Sequence, residues 1–395
     1  MLYASDFLPS IGGREVVVHH LARCFQDLGH NVRVLGPRGW RHRHLQRFPY
    51  PVHVWPGLQG LFPETTALAH LWFDATIYGC DIIHAHSTYP SGYIAARFKT
   101  FRDVPLVITP HGEDIHVVPE IGFGQRLDPV QRPKIDYALQ KAALVTAISK
   151  GVEQSLLNAN VDPAKIRQVP NGVDVERFET PQSLNVREWL KLPSDARIIV
   201  TIGNYHPRKG HEVLLRAMAA VVKSEPRARL VIIGIGTEAL LPLIRDLKLD
   251  QYVTLTGRLD IPITGATQGD SSRGQTQPDY VAAILKSSDM YVSAGTFEGT
   301  EGLSLAVLEA LACGLPIVAT RISGNVDIIK DGQNGLLVQP SVPEPLAEQM
   351  LRLLNDQGLR VQLAENARVT GRGYQWREIA LQYLEVYREV LENKK

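Results

Sequence analysis

Two carboxylates eight residues apart, Glu301 and Glu309, flank a helix start within the segment Thr300–Val318. From Leu305 to Ala312 every neighbour of Glu309 is Leu, Ala or Val, so this helix is expected to have no polar face and to be buried on all sides. An ionised carboxylate among hydrocarbons needs a partner, and a pair of ligand hydroxyls is a candidate. Just upstream, Glu301, Gly302, Leu303 and Ser304 lead into Leu305, where unpaired backbone N–H groups and the positive helix end would face an anion such as phosphate. The segment thus offers a phosphate cradle, one carboxylate beside it and a second one to two turns deeper, at the depth of a nucleotide ribose. The competing reading is a core helix whose Glu309 pairs with an arginine from elsewhere in the chain.

Other residues bear on the same chemistry. Arg208 and Lys209 follow a strand and precede Gly210 and the helix that begins at His211, a turn suited to a diphosphate, with a lysine point charge beside an arginine fork. Gly12 and Gly13 lie between the first strand and its helix, where glycine lets backbone approach a ligand through φ values closed to other residues; a plain tight turn is an equal alternative. His111 ends the strand LVITP and should project from the carboxyl edge of its sheet, where such folds bind ligands. His84 and His86 flank another strand end and are read as facing alternate ways, one of them in the core. Gly234-Ile235-Gly236 follows a strand but lacks the third glycine of a dinucleotide fingerprint. The sequence holds no Asp-x-Asp and no His/Asp/Glu cluster with metal spacing, so neither a metal nor a cofactor is demanded.

These residues resemble the retaining glycosyltransferases of family four, through the Glu-x7-Glu signature at Glu301 and Glu309. PSIGG (9–13), DIIHAH (81–86), TPHGED (109–114), AIS (147–149), PNGVD (170–174) and HPRKG (206–210) stand in the family's order over nearly the whole chain. One departure is Asn204, at a position where the family commonly carries an arginine.

The elements that must position these residues read as short apolar strands alternating with amphipathic helices, the pattern of parallel sheets covered on both faces. Strands are expected near 2–4, 31–35, 52–55, 81–85, 105–109, 143–147 and 166–169, then near 197–202, 229–234, 252–256, 289–293, 316–320 and 336–338. Asn171–Asp195, with two prolines, a glycine and mixed charge, carries the domain boundary. Residues 262–278, rich in Gly, Ser, Thr and Gln, read as a flexible surface loop, with a substrate lid as the alternative. Residues 39–56 interleave Arg41, Arg43 and Arg47 with Trp40, Phe48, Tyr50 and Trp55. Such a segment is an ordinary loop with packed aromatics or a contact for anionic lipid or an anionic acceptor.

The chain of 395 residues, 44% hydrophobic, is long enough for two domains with their own cores. A formal charge of +1 gives no global field for a nucleic-acid partner. Cys24, Cys80 and Cys313 are odd in number and set in apolar segments, as expected of buried reduced thiols in a reducing compartment. No signal-like leader precedes the first strand and no apolar run approaches the ~18 residues of a spanning helix, so a cytoplasmic location is expected, with peripheral contact at the inner membrane face through 39–56.

The resemblance implies a GT-B fold: two Rossmann-like parallel-sheet domains facing across a cleft, the first of residues 1–175 on the acceptor side, the second of 176–375 binding a nucleotide sugar, and a C-terminal helix within 376–395 returning to the first. It further implies transfer of a hexose from a UDP- or GDP-sugar to an unidentified acceptor (sugar, lipid-linked sugar or small molecule) with retention of configuration, in glycan, polysaccharide or glycolipid synthesis. In that picture Gly12 and Gly13 face the donor phosphates or the acceptor. Arg208, Lys209 and the helix start at Gly302–Leu305 neutralise the diphosphate, Glu309 holds the ribose, and Glu301 holds the sugar or stabilises positive charge. His111 contacts the donor sugar. Two rivals share the architecture: a nucleotide-sugar epimerase, and a sugar-nucleotide binder without turnover, to which Asn204 lends weight.

Overall fold

The computed structural model describes residues 1–8, 12–37, 46–55, 63–259, 267–268 and 278–393. Residues 39–45 and 56 of the segment 39–56 therefore lie outside the described residues, and so do residues 9–11 of the glycine-bearing loop and most of 262–278. Contacts divide the chain into two compact units, Met1–Asn171 with Ile263–Gly274 and Trp376–Lys395, and Gly172–Pro262 with Gln275–Gln375.

In the first unit seven short strands make one parallel sheet. They are β1 (Leu2–Tyr3), β2 (Val34–Pro37), β4 (Val52–Trp55), β5 (Ile83–Ala85), β6 (Leu106–Ile108), β7 (Leu144–Ala147) and β8 (Ile166–Gln168). Their order is β4-β2-β1-β5-β6-β7-β8, with Leu2 in register with Val34 on one side and His84 on the other. The central strands β5, β6 and β7 are buried along their whole length, as in a parallel sheet covered on both faces. The last helix, Trp376–Glu392, belongs to this unit. Trp376 stacks on His20 with ring centroids 5.1 Å apart, and Tyr387 packs on Phe25. Its apolar stripe thereby finds the surface it needs.

Two further strands carried no periodic signal. Gln46–Arg47 (β3) and Thr267–Gln268 (β12) pair antiparallel, Thr267 opposite Arg47. Both stretches read as loops in the sequence, because two polar residues cannot show an alternation and their partners lie far apart along the chain. This pairing joins 263–274 to the first unit, although the sequence places that segment within the second.

The second unit holds a six-stranded parallel sheet of β9 (Arg197–Ile202), β10 (Ala228–Ile233), β11 (Val253–Gly257), β13 (Met290–Ser293), β14 (Ile317–Thr320) and β15 (Leu336–Val338). The order β11-β10-β9-β13-β14-β15 reverses direction between β9 and β13. At such a switch point the loops leaving adjacent strands part to opposite faces and leave a crevice at the carboxyl edge. No helix among the described residues is long and apolar enough to cross a membrane. No disulfide joins the cysteines, which are half-buried rather than buried.

Candidate active site

A small open pocket lies at the carboxyl ends of β9 and β13, the switch point of the second sheet. Lys209, Glu301, Ser304 and Gly295 line it, together with Thr201, Ser293, Asn325 and His211. Three residues singled out in the sequence meet there. The Glu301 carboxylate accepts from Arg208 Nη1 at 2.6 Å and from Lys209 Nζ at 2.8 and 2.9 Å, so two cations converge on one partly shielded carboxylate. Arg208 also donates to the Thr300 carbonyl, which ties the two loops together. Gly210 takes φ +69°, and a Cβ there would lie 1.8 Å from the Ala294 carbonyl oxygen, so only glycine lets this turn pack against the strand β13 loop.

The helix that follows Glu301 runs from Leu305 to Cys313 behind Ser304, whose side chain caps nothing. Leu303 is buried in the hydrophobic core, so only its backbone could reach a ligand, and Leu305 packs partly against that core. The helix is not sealed on all sides as its sequence suggests. Leu305, Glu309 and Cys313, spaced four apart, form a half-buried stripe. On that stripe Glu309 accepts from Arg177 Nη1 at 2.7 Å, while Arg177 Nε and Nη2 grip Asp279 at 2.5 and 2.9 Å. The competing reading of Glu309, an arginine partner from elsewhere, is therefore what the structure displays, and Glu309 is not among the cavity-lining residues. Burial raises the pKa of Glu309 above the ordinary carboxylate value, and Arg177 opposes the rise. One guanidinium against two carboxylates leaves this network with surplus acceptor capacity.

Asn204 has a structural task. Its Oδ1 accepts from the Ile235 amide at 2.9 Å, and Tyr205 N donates to the Ile235 carbonyl at 2.8 Å. A Cβ at Gly234 would lie 2.0 Å from the Gly203 carbonyl oxygen, so the Gly-Ile-Gly stretch serves the close approach of the loops leaving β9 and β10. His211 is a site residue that sequence reasoning missed. It is buried at the start of the helix His211–Ser224, its ring bonds the Gly203 backbone, and burial and the Lys209 charge push its pKa down to about 4. Its Nδ1 is buried without a partner among the described residues. A histidine at a helix start gives no spacing signal that would have marked it.

His111, Gly12 and Gly13 belong to the first unit. His111 Nε2 lies 3.2 Å from His86 Nδ1, and its backbone amide donates to Asp114 Oδ1 at 2.8 Å. Asp114 also accepts from the Thr88 amide, so this one buried carboxylate staples the TPHGED turn to the loop after β5. His84 and His86 share a side, as residues two apart on a strand must, and both are fully buried with ring centroids 4.1 Å apart. This corrects the alternate facing read from the sequence. His84 bonds Tyr387 Oη and Thr109 Oγ1, each at 2.6 Å. Burial, then neighbouring charge, lowers the pKa of His84, His86 and His111, so all three are neutral near pH 7. Gly12 and Gly13 do not need forbidden φ values. Gly12 is extended at φ −138° and caps the helix Gly13–Asp27, and a Cβ there would meet only the movable tip of the Glu15 side chain, 2.4 Å from Oε2.

Two Rossmann-like parallel-sheet units, the second with a cation-lined crevice at its switch point, are those of the GT-B fold. Residues 11–177 match the family described as Glycosyltransferase Family 4, and residues 196–356 match Glycosyl transferases group 1. The chain belongs to the family-four glycosyltransferases. It is 26% identical to N-acetyl-alpha-D-glucosaminyl L-malate synthase of Bacillus anthracis, over 98% of this chain and 96% of the relative. It is 30% identical to D-inositol 3-phosphate glycosyltransferase of Actinosynnema mirum, over 75% of this chain and 69% of the relative. Among solved structures, HepE of Anabaena in complex with UDP and glucose superposes with a TM-score of 0.77 at 20% identity, covering 98% of this chain and 99% of that one.

Proposed function

We propose that this glycosyltransferase uses a UDP-sugar and transfers its hexose, with retention of configuration, to a hydroxyl of a small or lipid-linked acceptor. The observation that carries the reading is the convergence of Arg208 and Lys209 on Glu301 at the switch-point cavity. Two cations converging on one carboxylate are placed to bind a diphosphate in its stead, which frees Glu301 toward the sugar. HepE was crystallised with UDP and with UDP-glucose, which supports uridine as the base. The relatives are named for L-malate and inositol 3-phosphate, so anionic polyols and hydroxy acids head the acceptors to be screened.

In this reading Arg208, Lys209 and the N–H groups of Gly302–Leu305 hold the phosphates. Glu309 spends its surplus acceptor capacity on the ribose hydroxyls while Arg177 aims it. Neutral His111 hydrogen-bonds the sugar, and Gly12 leaves room for backbone to approach the donor phosphates. The bond from the anomeric carbon to the diphosphate oxygen breaks as the acceptor oxygen bonds to that carbon on the same face, and the acceptor proton passes to the departing phosphate.

Calorimetric titration with UDP, GDP and ADP, then with the matching sugar nucleotides, tests the donor. Selective UDP binding is expected, and no binding of any nucleotide would overturn the reading. Glu309→Ala should weaken UDP binding about tenfold to a hundredfold. Glu301→Gln should leave UDP binding in place and lower turnover about a hundredfold. Equal UDP affinity in Glu309→Ala and the unaltered protein would remove the ribose assignment. The anomeric configuration of the product, read by NMR, decides retention.

A further inference from the structure

The helix Pro63–Tyr78 presents an outer face that nothing in the transfer reaction uses. Its two acids are both engaged: Asp74 is buried against Arg33 at 2.6 Å and against His53, and Glu64 is held by Lys134 at 2.5 Å and by Tyr89 at 2.8 Å. Leu71 and Ala75 point into the core of the first unit. The opposite stripe, at 69, 72, 73, 76 and 77, should by the usual rule be charged or polar. Here Trp72 and Phe73, edge to face with ring centroids 5.4 Å apart, are 41% and 46% exposed, and Ile77 and Tyr78 are 67% and 60% exposed. The helix thus turns large apolar side chains toward water as well as toward the core, with Thr76 the polar member of the stripe, its hydroxyl bonded to the Trp72 carbonyl.

The neighbouring turn continues the surface. Arg102 Nη1 donates to the Ala75 carbonyl at 3.3 Å, which sets the turn after the helix Tyr93–Phe98 against this one, and Phe101 in that turn is 66% exposed. Arg102 is exposed on the same turn, and Lys99 is half-buried with its Nζ at the surface donating to the Lys141 carbonyl at 3.4 Å, against the exposed acid Asp103. Aromatic and aliphatic tips rimmed by lysine and arginine are the composition of a surface that lies in the interface of an anionic bilayer. A second copy of the chain fits the face less well. Five side chains, each about half exposed and offering at most about 150–250 Å² in full, fall short of the about 800 Å² per partner of a stable interface.

We propose that this face is a membrane-docking surface, with Trp72, Phe73, Ile77 and Phe101 entering the headgroup boundary and Lys99 and Arg102 meeting lipid phosphates. Flotation of the full chain with phosphatidylcholine vesicles, alone or mixed with phosphatidylglycerol, tests it. Binding is expected to the mixed vesicles and to weaken with salt. The triple variant Trp72→Ser, Phe73→Ser and Ile77→Ser should lower partitioning about tenfold. Lys99→Gln and Arg102→Gln should each lower it about fivefold. Trp72, Phe73 and Ile77 are exposed, so circular dichroism and melting temperature of the triple variant should be unchanged and serve as the folding control. Absence of flotation with anionic vesicles, or equal flotation of the triple variant, would overturn the proposal. So would a dimer in light scattering that the triple variant converts to monomer, because the face would then bind a second copy.

Discussion

The two sheets treat buried polar side chains in opposite ways at their carboxyl edges. In the first unit the strands β5 and β6 end in His84, His86 and His111, imidazoles kept neutral by burial and, for His86 and His111, by the charge of Arg14. In the second unit the equivalent edge carries Arg208 and Lys209 on Glu301, and beside it Arg177 on Asp279 and Glu309. Neutral rings that both donate and accept suit hydroxyl groups, whereas preorganised cations suit phosphates. A fold that repeats one architecture thus specialises its halves by what is buried at the strand ends, not by how the strands are arranged.

The largest expected effect breaks the charged half. Arg177→Ala leaves Glu309 and Asp279 as buried carboxylates without their shared cation, and a loss of about 3–5 kcal/mol in denaturant unfolding is expected. A loss under about 1 kcal/mol would mean that solvent, not Arg177, balances the two acids. The next sharpens the contrast through pH. A histidine with a lowered folded pKa, about 3 for His86 and about 4 for His211, binds fewer protons folded than unfolded. As pH falls below about 6.5 the unfolded chain takes up the proton first, and each such imidazole removes about 1.4 kcal/mol of stability per pH unit. Three of these groups at the edge of the first sheet, against His211 in the second, predict that the first unit melts earlier on acidification. Calorimetry between pH 7 and pH 5, with limited proteolysis to identify the unit that opens, checks the order. Earlier melting of the second unit would remove the histidine explanation. The smallest effect concerns Asn204. Asn204→Ala should cost about 1 kcal/mol through the lost bond to the Ile235 amide and leave UDP affinity unchanged by calorimetry. A drop in affinity would instead make Asn204 a phosphate ligand.

Much of this protein was decided by its sequence. Runs such as RIIVTI and MYVS fix buried parallel strands, because an apolar stretch of that length bounded by turn residues has few other uses. Arg208, Lys209, Glu301 and the helix start at Ser304 were legible because each follows a strand or opens a helix, and covalent order alone carries them to a sheet edge. Only the tertiary structure decided which groups meet across distance. Arg177 finds Glu309 132 residues away and Asp279 102 residues away, and no local pattern can announce such a pairing. The same holds for Tyr387 on His84, 303 residues apart, and for the pairing of β3 with β12. Periodicity reports which face of an element is apolar. The partner that satisfies a buried charge or ring nitrogen depends on packing, which brings together whatever side chains the folded sheets hold at the same edge.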